Sequence, residues 1–182
     1  MITNRIRSIM LLAFTLLSFT AQSQKQSKTM ENPTIQKFYV IGIETRTINE
    51  KGKSAIDIEA LWTRFWGEEI QKQIPNKVSD DIYAVYKDYE TDFNGFYTLV
   101  IGLQVSTLED IPKGFVGITV ETGLYQKYIS KGKMPEAVFN TWLEVWQDKS
   151  LNRAYKSDFT IHGKKYYDGN SAEVETYISI RD

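Results

Sequence analysis

The chain has 182 residues, a formal net charge of −1 and 42% hydrophobic residues, values that are ordinary for one globular domain. It contains no cysteine, which excludes a disulfide framework and leaves the fold dependent on its hydrophobic core. It has no basic stripe or basic tail, so nucleic acid is not expected as a partner.

The first 23 residues have the three parts of a secretory signal peptide. Arg5 and Arg7 form a basic start, Ile9–Ala21 is an apolar run, and small residues up to Ser23 suit a cleavage site. The run is shorter than the roughly 20 residues of a membrane span, and no cysteine follows it for a lipid anchor. We therefore expect an exported protein, periplasmic or secreted, without a stable membrane anchor. The alternative is a true start at Met30.

Residues 24–36 are polar and are expected to form a flexible leader, so the domain is predicted to span residues 37–182. Its first half, residues 38–106, shows a β-α-β-β pattern from strand-like alternation and helical spacing. The predicted elements are a strand at Phe38–Asn49, a helix at Ile56–Gln73, and two strands at Asp81–Tyr89 and Phe96–Ser106. Asn94 and Gly95 suit the hairpin turn between the last two strands.

The second half, residues 114–182, repeats this pattern. A strand is predicted at Phe115–Thr122, followed by a turn at Gly123–Tyr125 and a short strand or continuation at Gln126–Ser130. The remaining predicted elements are a helix at Pro135–Gln147 and two strands at Asp158–Tyr167 and Ala172–Ile180.

The four tryptophans support an internal duplication. Trp62 and Trp66 of the first predicted helix correspond to Trp142 and Trp146 of the second, eighty residues later. The predicted fold is therefore α+β: two pseudo-symmetric β-α-β-β repeats form one antiparallel-rich sheet with both helices on one face. The cleft between the halves is the natural pocket.

Several stretches occur in a fixed order along the chain: Asp81–Val105, Ile111–Gly132, Thr141–Trp146, Arg153–Phe159 and Glu173–Ile180. Together they resemble the GyrI-like, AraC-type effector-binding domain, which occurs in AraC- and MerR-type transcription regulators and in stand-alone gyrase-inhibitory proteins. The resemblance implies a duplicated fold whose cleft takes a small hydrophobic molecule, often a cationic one. Some relatives are hydrolases.

The resemblance also implies a cleft glutamate in an Asp-Phe-Glu pattern after the second helix. This chain has Thr160 at that position, after Asp158 and Phe159. Threonine can neither pair with a cation by charge nor act as a general base. Glu121 and Glu175 are the candidates to replace the missing acid.

The candidate ligand-binding residues lie on the two helices and on the segments that the repeat brings together. They are Trp62, Phe65, Tyr83, Tyr97, Glu121, Trp142, Tyr155 and Thr160. The alternative for the helical aromatic residues is packing in the core, because a stripe at helical spacing is usually buried. Tyr83 and Tyr86 have opposite parity on one strand, so at most one of them faces the pocket.

No catalytic, cofactor or metal site is predicted. His162 is the single histidine and there is no cysteine, so a zinc or copper site would lack ligands. We expect His162 on the surface or on an edge strand, and Arg153 and Asp158 as a structural ion pair.

Three functions follow from these observations. The leading hypothesis is an exported, stand-alone binding protein for a small hydrophobic, amphipathic or cationic effector, without catalysis. The first alternative is a hydrolase of small electrophilic molecules, which needs a cleft carboxylate with a raised pKa. The second is a protein-interaction module that inhibits a partner; the sequence identifies no protein partner.

Overall fold

The structure, a computed structural model, describes residues 32–181. The elements of the first half are β1 (Thr34–Ile35), β2 (Phe38–Ile48), α1 (Lys53–Gly67), α2 (Ile70–Gln73), β3 (Lys77–Lys87) and β4 (Phe96–Val105). Those of the second half are β5 (Val116–Val120), β6 (Gly123–Lys131), α3 (Glu136–Gln147), β7 (Ser157–His162) and β8 (Glu173–Ser179). Within residues 32–181, no helix is long and apolar enough to cross a membrane. The predicted signal peptide lies outside the described residues.

The eight strands form one antiparallel sheet in the order β1-β6-β8-β7-β3-β4-β2-β5. The strands β6, β8 and β7 mirror β2, β4 and β3, and the pair β3–β7 lies at the centre. β1 and β5 are exchanged between the halves: each precedes the first long strand of its own half but pairs with that of the other. An approximate two-fold axis therefore passes between β3 and β7, and the predicted duplication is confirmed.

The sheet is curled, so that its two ends meet in one antiparallel ladder formed by β1 and β2 on one side and β5 and β6 on the other. The register that pairs Phe38 with Val120 continues unchanged to the pair Thr34 and Leu124. Between these pairs the backbone N–H of Lys37 donates to Oγ1 of Thr122 at 3.0 Å. Because β1 runs into β2 and β5 runs into β6, this ladder links the two ends of the sheet.

The two faces of the curled sheet have different contents. The inner face holds an aromatic cluster of Phe38, Tyr83, Tyr125, Phe159 and Tyr177, in which the rings of Phe159 and Tyr177 stack at 4.8 Å. The two long helices pack on the outer face, α1 through Leu61 and Phe65, and α3 through Trp142 and Val145. The side chain of Tyr86 packs against both helix clusters, which confirms that the helices share one face.

Two predicted elements differ near the helices. The helix predicted at Ile56–Gln73 is two helices, because Glu69 adopts a left-handed conformation with φ of 49°. The strand predicted at Asp158–Tyr167 ends at His162, and Lys164–Tyr167 forms a short 3-10 helix.

Two further differences concern the exchanged strands. Thr34 and Ile35, assigned to the leader, form β1 and pair with β6. The turn predicted at Gly123–Tyr125 is the start of β6, because Gly123 and Leu124 take part in the same ladder. β1 has only two residues within a polar segment, which is too short for strand alternation to appear in the sequence, and Gly123 begins a strand although glycine is typical of turns.

We predict that Gly42 is required for stability. It pairs with Gly102 across β2 and β4, and a Cβ atom at Gly42 would lie 2.1 Å from the carbonyl oxygen of Ile101. We expect Gly42→Ala to lower the free energy of unfolding in urea by about 2–3 kcal/mol. Gly67→Ala is the control, because a Cβ atom there meets nothing within 4 Å. Equal unfolding midpoints for the two variants would contradict the prediction.

Candidate ligand-binding site

One cavity of about 770 Å³ lies between α1 and α3, above the central strands β3 and β7. All four tryptophans line it, Trp62 and Trp66 from α1 and Trp142 and Trp146 from α3. The alternative of core packing holds for Phe65 and in part for Trp142, which is buried in the cluster under α3 and also lines the cavity. Trp62 and Trp146 are partly buried against these clusters, and Trp66 is 37% exposed. The residues that pack α1 onto the sheet are one position earlier in each turn, Leu61 and Phe65.

Aromatic contacts continue around the wall. The rings of Trp62 and Trp66 stack at 6.1 Å, and those of Trp142 and Trp146 lie 6.2 Å apart. Phe93, in the β3–β4 hairpin, stacks on Trp146 at 5.8 Å with the planes 12° apart. Flat apolar walls of this kind suit aromatic or amphipathic ligands.

The floor of the cavity is formed by the central pair of strands. Ala84 and Tyr86 of β3 and His162 of β7 line it. Tyr86 packs edge-on against Trp142 with the ring centroids 4.7 Å apart. Burial raises the pKa of Tyr86 well above its usual value, so its phenol is neutral at physiological pH.

His162 is buried in the floor, with 8% of its surface exposed. The expectation of a surface or edge-strand histidine is wrong, because β7 lies between β3 and β8. Nε2 of His162 and Oγ1 of Thr160 form a hydrogen bond of 2.9 Å. The imidazole packs against Trp62 at 5.0 Å and Tyr166 at 5.1 Å. Burial lowers the pKa of His162 to about 4, so the ring is uncharged at neutral pH.

The charged side chains of the cavity lie at its mouth. Glu59 of α1 and Glu136 of α3 are exposed lining residues, and the described lining contains no lysine or arginine. Glu136 lies 3.5 Å from Nζ of Lys133. The hydrolase alternative requires a carboxylate whose pKa is raised by burial in the cleft, and the two lining carboxylates are both exposed.

A buried ion pair supports the wall from behind. Nη2 of Arg153 donates to Oδ2 of Asp158 at 2.6 Å, and both side chains are almost fully buried. The hydroxyl of Tyr89, a lining residue, donates to the same carboxylate oxygen at 2.8 Å. The predicted structural pair is confirmed. Removing one partner of such a pair leaves an uncompensated buried charge, so the position of Tyr89 depends on an intact pair.

Three of the eight predicted site residues line the cavity: Trp62, Tyr97 and Trp142. Phe65 is fully buried in the core under α1. Thr160 is fully buried and contacts the lining residue His162 through its hydroxyl.

The remaining three lie elsewhere. Tyr83 is on the inner face of the sheet, where its hydroxyl donates to Oε1 of Gln104. Glu121 is exposed next to β6 and lines a second, smaller cavity. Tyr155 stacks on the Arg153 guanidinium at 4.2 Å, outside the cavity lining. Glu121 and Glu175, the proposed replacements for the missing acid, therefore both lie outside the lining of the cavity between the helices. Glu175 is on the opposite face of the sheet, where its Oε1 lies 2.9 Å from Nζ of Lys127.

Sequence reasoning missed several lining residues. Strand parity could have identified Tyr86, because Tyr86 pairs with Leu99 and Tyr97 is two residues from Leu99 on the same face. Tyr97 and Tyr83 therefore lie on opposite faces. Phe93 and Tyr166 lie in a turn and a 3-10 helix, where no periodicity shows which way a side chain points.

A duplicated, curled antiparallel sheet with two helices over an aromatic cleft defines a small-molecule effector-binding domain of the GyrI-like type. The family model for integron-associated effector binding proteins (Cass2) matches residues 33–180. The chain belongs to this family.

Two relatives have sequences similar to this chain. YobU of Bacillus subtilis (strain 168), described as a candidate transcriptional regulator, is 29% identical over 127 residues, covering 68% of this chain and 79% of YobU. The integron cassette protein from the mobile metagenome of Vibrio cholerae is 27% identical, with a TM-score of 0.66, covering 84% of this chain and 95% of its own. SAV2435, solved bound to tetraphenylphosphonium, shares the fold at 16% identity, with a TM-score of 0.69, covering 84% of this chain and 93% of its own.

We predict a pH-dependent contribution of His162 to stability. Its pKa is about 4 in the folded state and about 6.5 when unfolded, so the unfolded chain binds more protons between these values. This contribution is fully present above pH 6.5 and is lost as the pH falls towards 4. Between pH 8 and pH 5, the wild type should lose about 2 kcal/mol more unfolding free energy than His162→Asn.

Urea unfolding of both proteins at the two pH values measures this difference. The carboxylates titrate in both proteins, so their contribution cancels in the comparison. Equal losses in the wild type and the variant would show that His162 is not held neutral by the fold.

Proposed function

We propose that this protein binds a small hydrophobic or amphipathic molecule in the cavity between α1 and α3. The observation that carries the proposal is that both halves contribute two tryptophans to one cavity. Trp66 remains 37% exposed there although it is a large apolar side chain. Exposed aromatic surface grouped in a concave site is typical of ligand pockets rather than of packing.

The charges around the cavity favour a cationic ligand over an anionic one. Glu59 and Glu136 place negative charge at the mouth, and the faces of the tryptophan rings attract cations. Among the described residues, no carboxylate lines the floor, whose polar groups are the hydroxyl of Tyr86 and the imidazole of His162. We therefore propose a preference for cations that is set at the mouth and is sensitive to salt.

Tetraphenylphosphonium and tetraphenylborate are a matched pair of probes, because they have nearly the same shape and opposite charge. SAV2435, which shares the fold, was solved with the first of them bound. We predict that the wild type binds the cation more tightly than the anion. The double variant Glu59→Gln/Glu136→Gln should reduce this preference by about threefold to tenfold at low salt, and less at high salt.

Trp66→Ala should weaken binding of the cation about tenfold, because it removes apolar contact and a cation–π partner. Phe96→Ala is the matched control, since Phe96 is 38% exposed and lies outside the cavity lining. Dissociation constants from calorimetry measure both effects. If neither ion binds, or if Phe96→Ala weakens binding as much as Trp66→Ala, the proposed site is wrong.

We also propose that the protein acts after export, as a stand-alone binding protein. The support is the basic start, apolar run and small residues of residues 1–23. Expression of the whole chain in a Gram-negative host should give a periplasmic protein that begins near Gln24, detected by fractionation and N-terminal sequencing. A chain without residues 2–23 is the control and should stay in the cytoplasm. An uncleaved protein in the cytoplasm would contradict the proposal.

A further inference from the structure

The floor of the cavity contains a buried polar atom that has no partner. Within the described residues, Nδ1 of His162 makes no hydrogen bond, although the atom is shielded from solvent. An unpaired buried polar group destabilises a folded protein, and most buried polar groups in proteins have a partner. His162 itself lines the cavity, so a bound molecule is the natural source of the missing partner.

Hydrogen-bond satisfaction assigns the proton on the ring. The hydroxyl of Thr160 is fully buried, and its partner among the described residues is Nε2 of His162. If the ring donated from Nε2, both the hydroxyl hydrogen and Nδ1 would remain unpaired. If Thr160 donates instead, only Nδ1–H remains unpaired. The second arrangement leaves fewer unpaired groups, so Nδ1 carries the proton and is a donor.

One of the rings that pack against the imidazole lies in a segment with little burial. Trp62 and Tyr166 pack against the imidazole, and Tyr166 belongs to the short 3-10 helix Lys164–Tyr167, which contains no buried residue. A segment with so little burial opens at a low cost in free energy. A ligand that displaces the ring of Tyr166 therefore reaches the imidazole without disturbing the sheet.

We propose that His162 is a specificity-determining residue and that the ligand carries a hydrogen-bond acceptor, such as a carbonyl oxygen, which receives Nδ1–H at the floor. This inference rests on the proposed function, because it concerns the same cavity. Thr160 is a positioning residue that holds the ring in the donor tautomer. The low pKa of His162 is consistent with this role, since the ring stays neutral and its selection is for an acceptor rather than for an anion.

Fluorene and fluorenone test the proposal, because the two rigid molecules differ by one carbonyl group. Calorimetric titration of the protein into each compound gives the ratio of their dissociation constants. We expect the dissociation constant of fluorene divided by that of fluorenone to be threefold to tenfold larger in the wild type than in His162→Phe. A factor of this size corresponds to the contribution of one hydrogen bond. Comparing ratios removes the difference in hydrophobicity between the compounds.

Two further variants separate hydrogen bonding from shape. His162→Asn places an amide N–H near the Nδ1 position and should keep part of the preference. Thr160→Val keeps the shape of the side chain but no longer fixes the tautomer, so its ratio should fall towards that of His162→Phe. If His162→Phe does not fold, Thr160→Val decides the matter. Tyr83→Phe, on the inner face of the sheet, is the control and should have the wild-type ratio.

The outcomes are distinguishable. Binding of both compounds with the same ratio in the wild type, His162→Phe and Thr160→Val would overturn the role of His162 and leave the proposed binding function standing. Absence of binding of either compound, together with absence of tetraphenylphosphonium binding, would overturn the proposed function and this inference with it.

Discussion

Strands β3 and β7 pair antiparallel from Ile82 and His162 to Lys87 and Ser157, and this pairing positions every other strand and both long helices. It joins the two halves at the centre of the sheet, where Ala84 faces Thr160 across the strands. Each helix packs over the strands of its own half, so a gap remains between the two helices above the central pair. The cavity is this gap, and the small side chain of Ala84 in its floor adds to the space. The duplication explains why tryptophans from both helices meet there.

The inner face of the sheet, opposite the cavity, is fully packed and contributes to the stability of the fold. A chain without disulfides must bury enough apolar surface to offset its conformational entropy. The curled sheet does so twice, once under the helices and once around the aromatic cluster of Phe159 and Tyr177. The outer face can therefore carry an incompletely filled aromatic surface and an unpaired histidine nitrogen at His162, two features that cost stability and favour binding.

The sequence allowed the long elements to be predicted, because helical spacing and strand alternation are local signals. It also revealed the duplication, because tryptophan is rare. The position of His162 could not be deduced, since strand order decides whether β7 lies at an edge or in the centre. Tyr86, not the predicted Tyr83, faces the cavity, because Tyr86 lies on the same face of the hairpin as Leu99 and Tyr97. Phe93 and Tyr166 reach the cavity from irregular segments, where the direction of a side chain depends on tertiary packing.

A crystal structure of the protein with tetraphenylphosphonium would show directly where a ligand binds. We predict that the cation lies between α1 and α3, with phenyl rings against Trp62 and Trp142 and the floor of β3 and β7 below it. A cation bound elsewhere, for example in the smaller cavity beside Glu121, with the space between the helices unchanged, would contradict the claim that this cavity is the ligand-binding site.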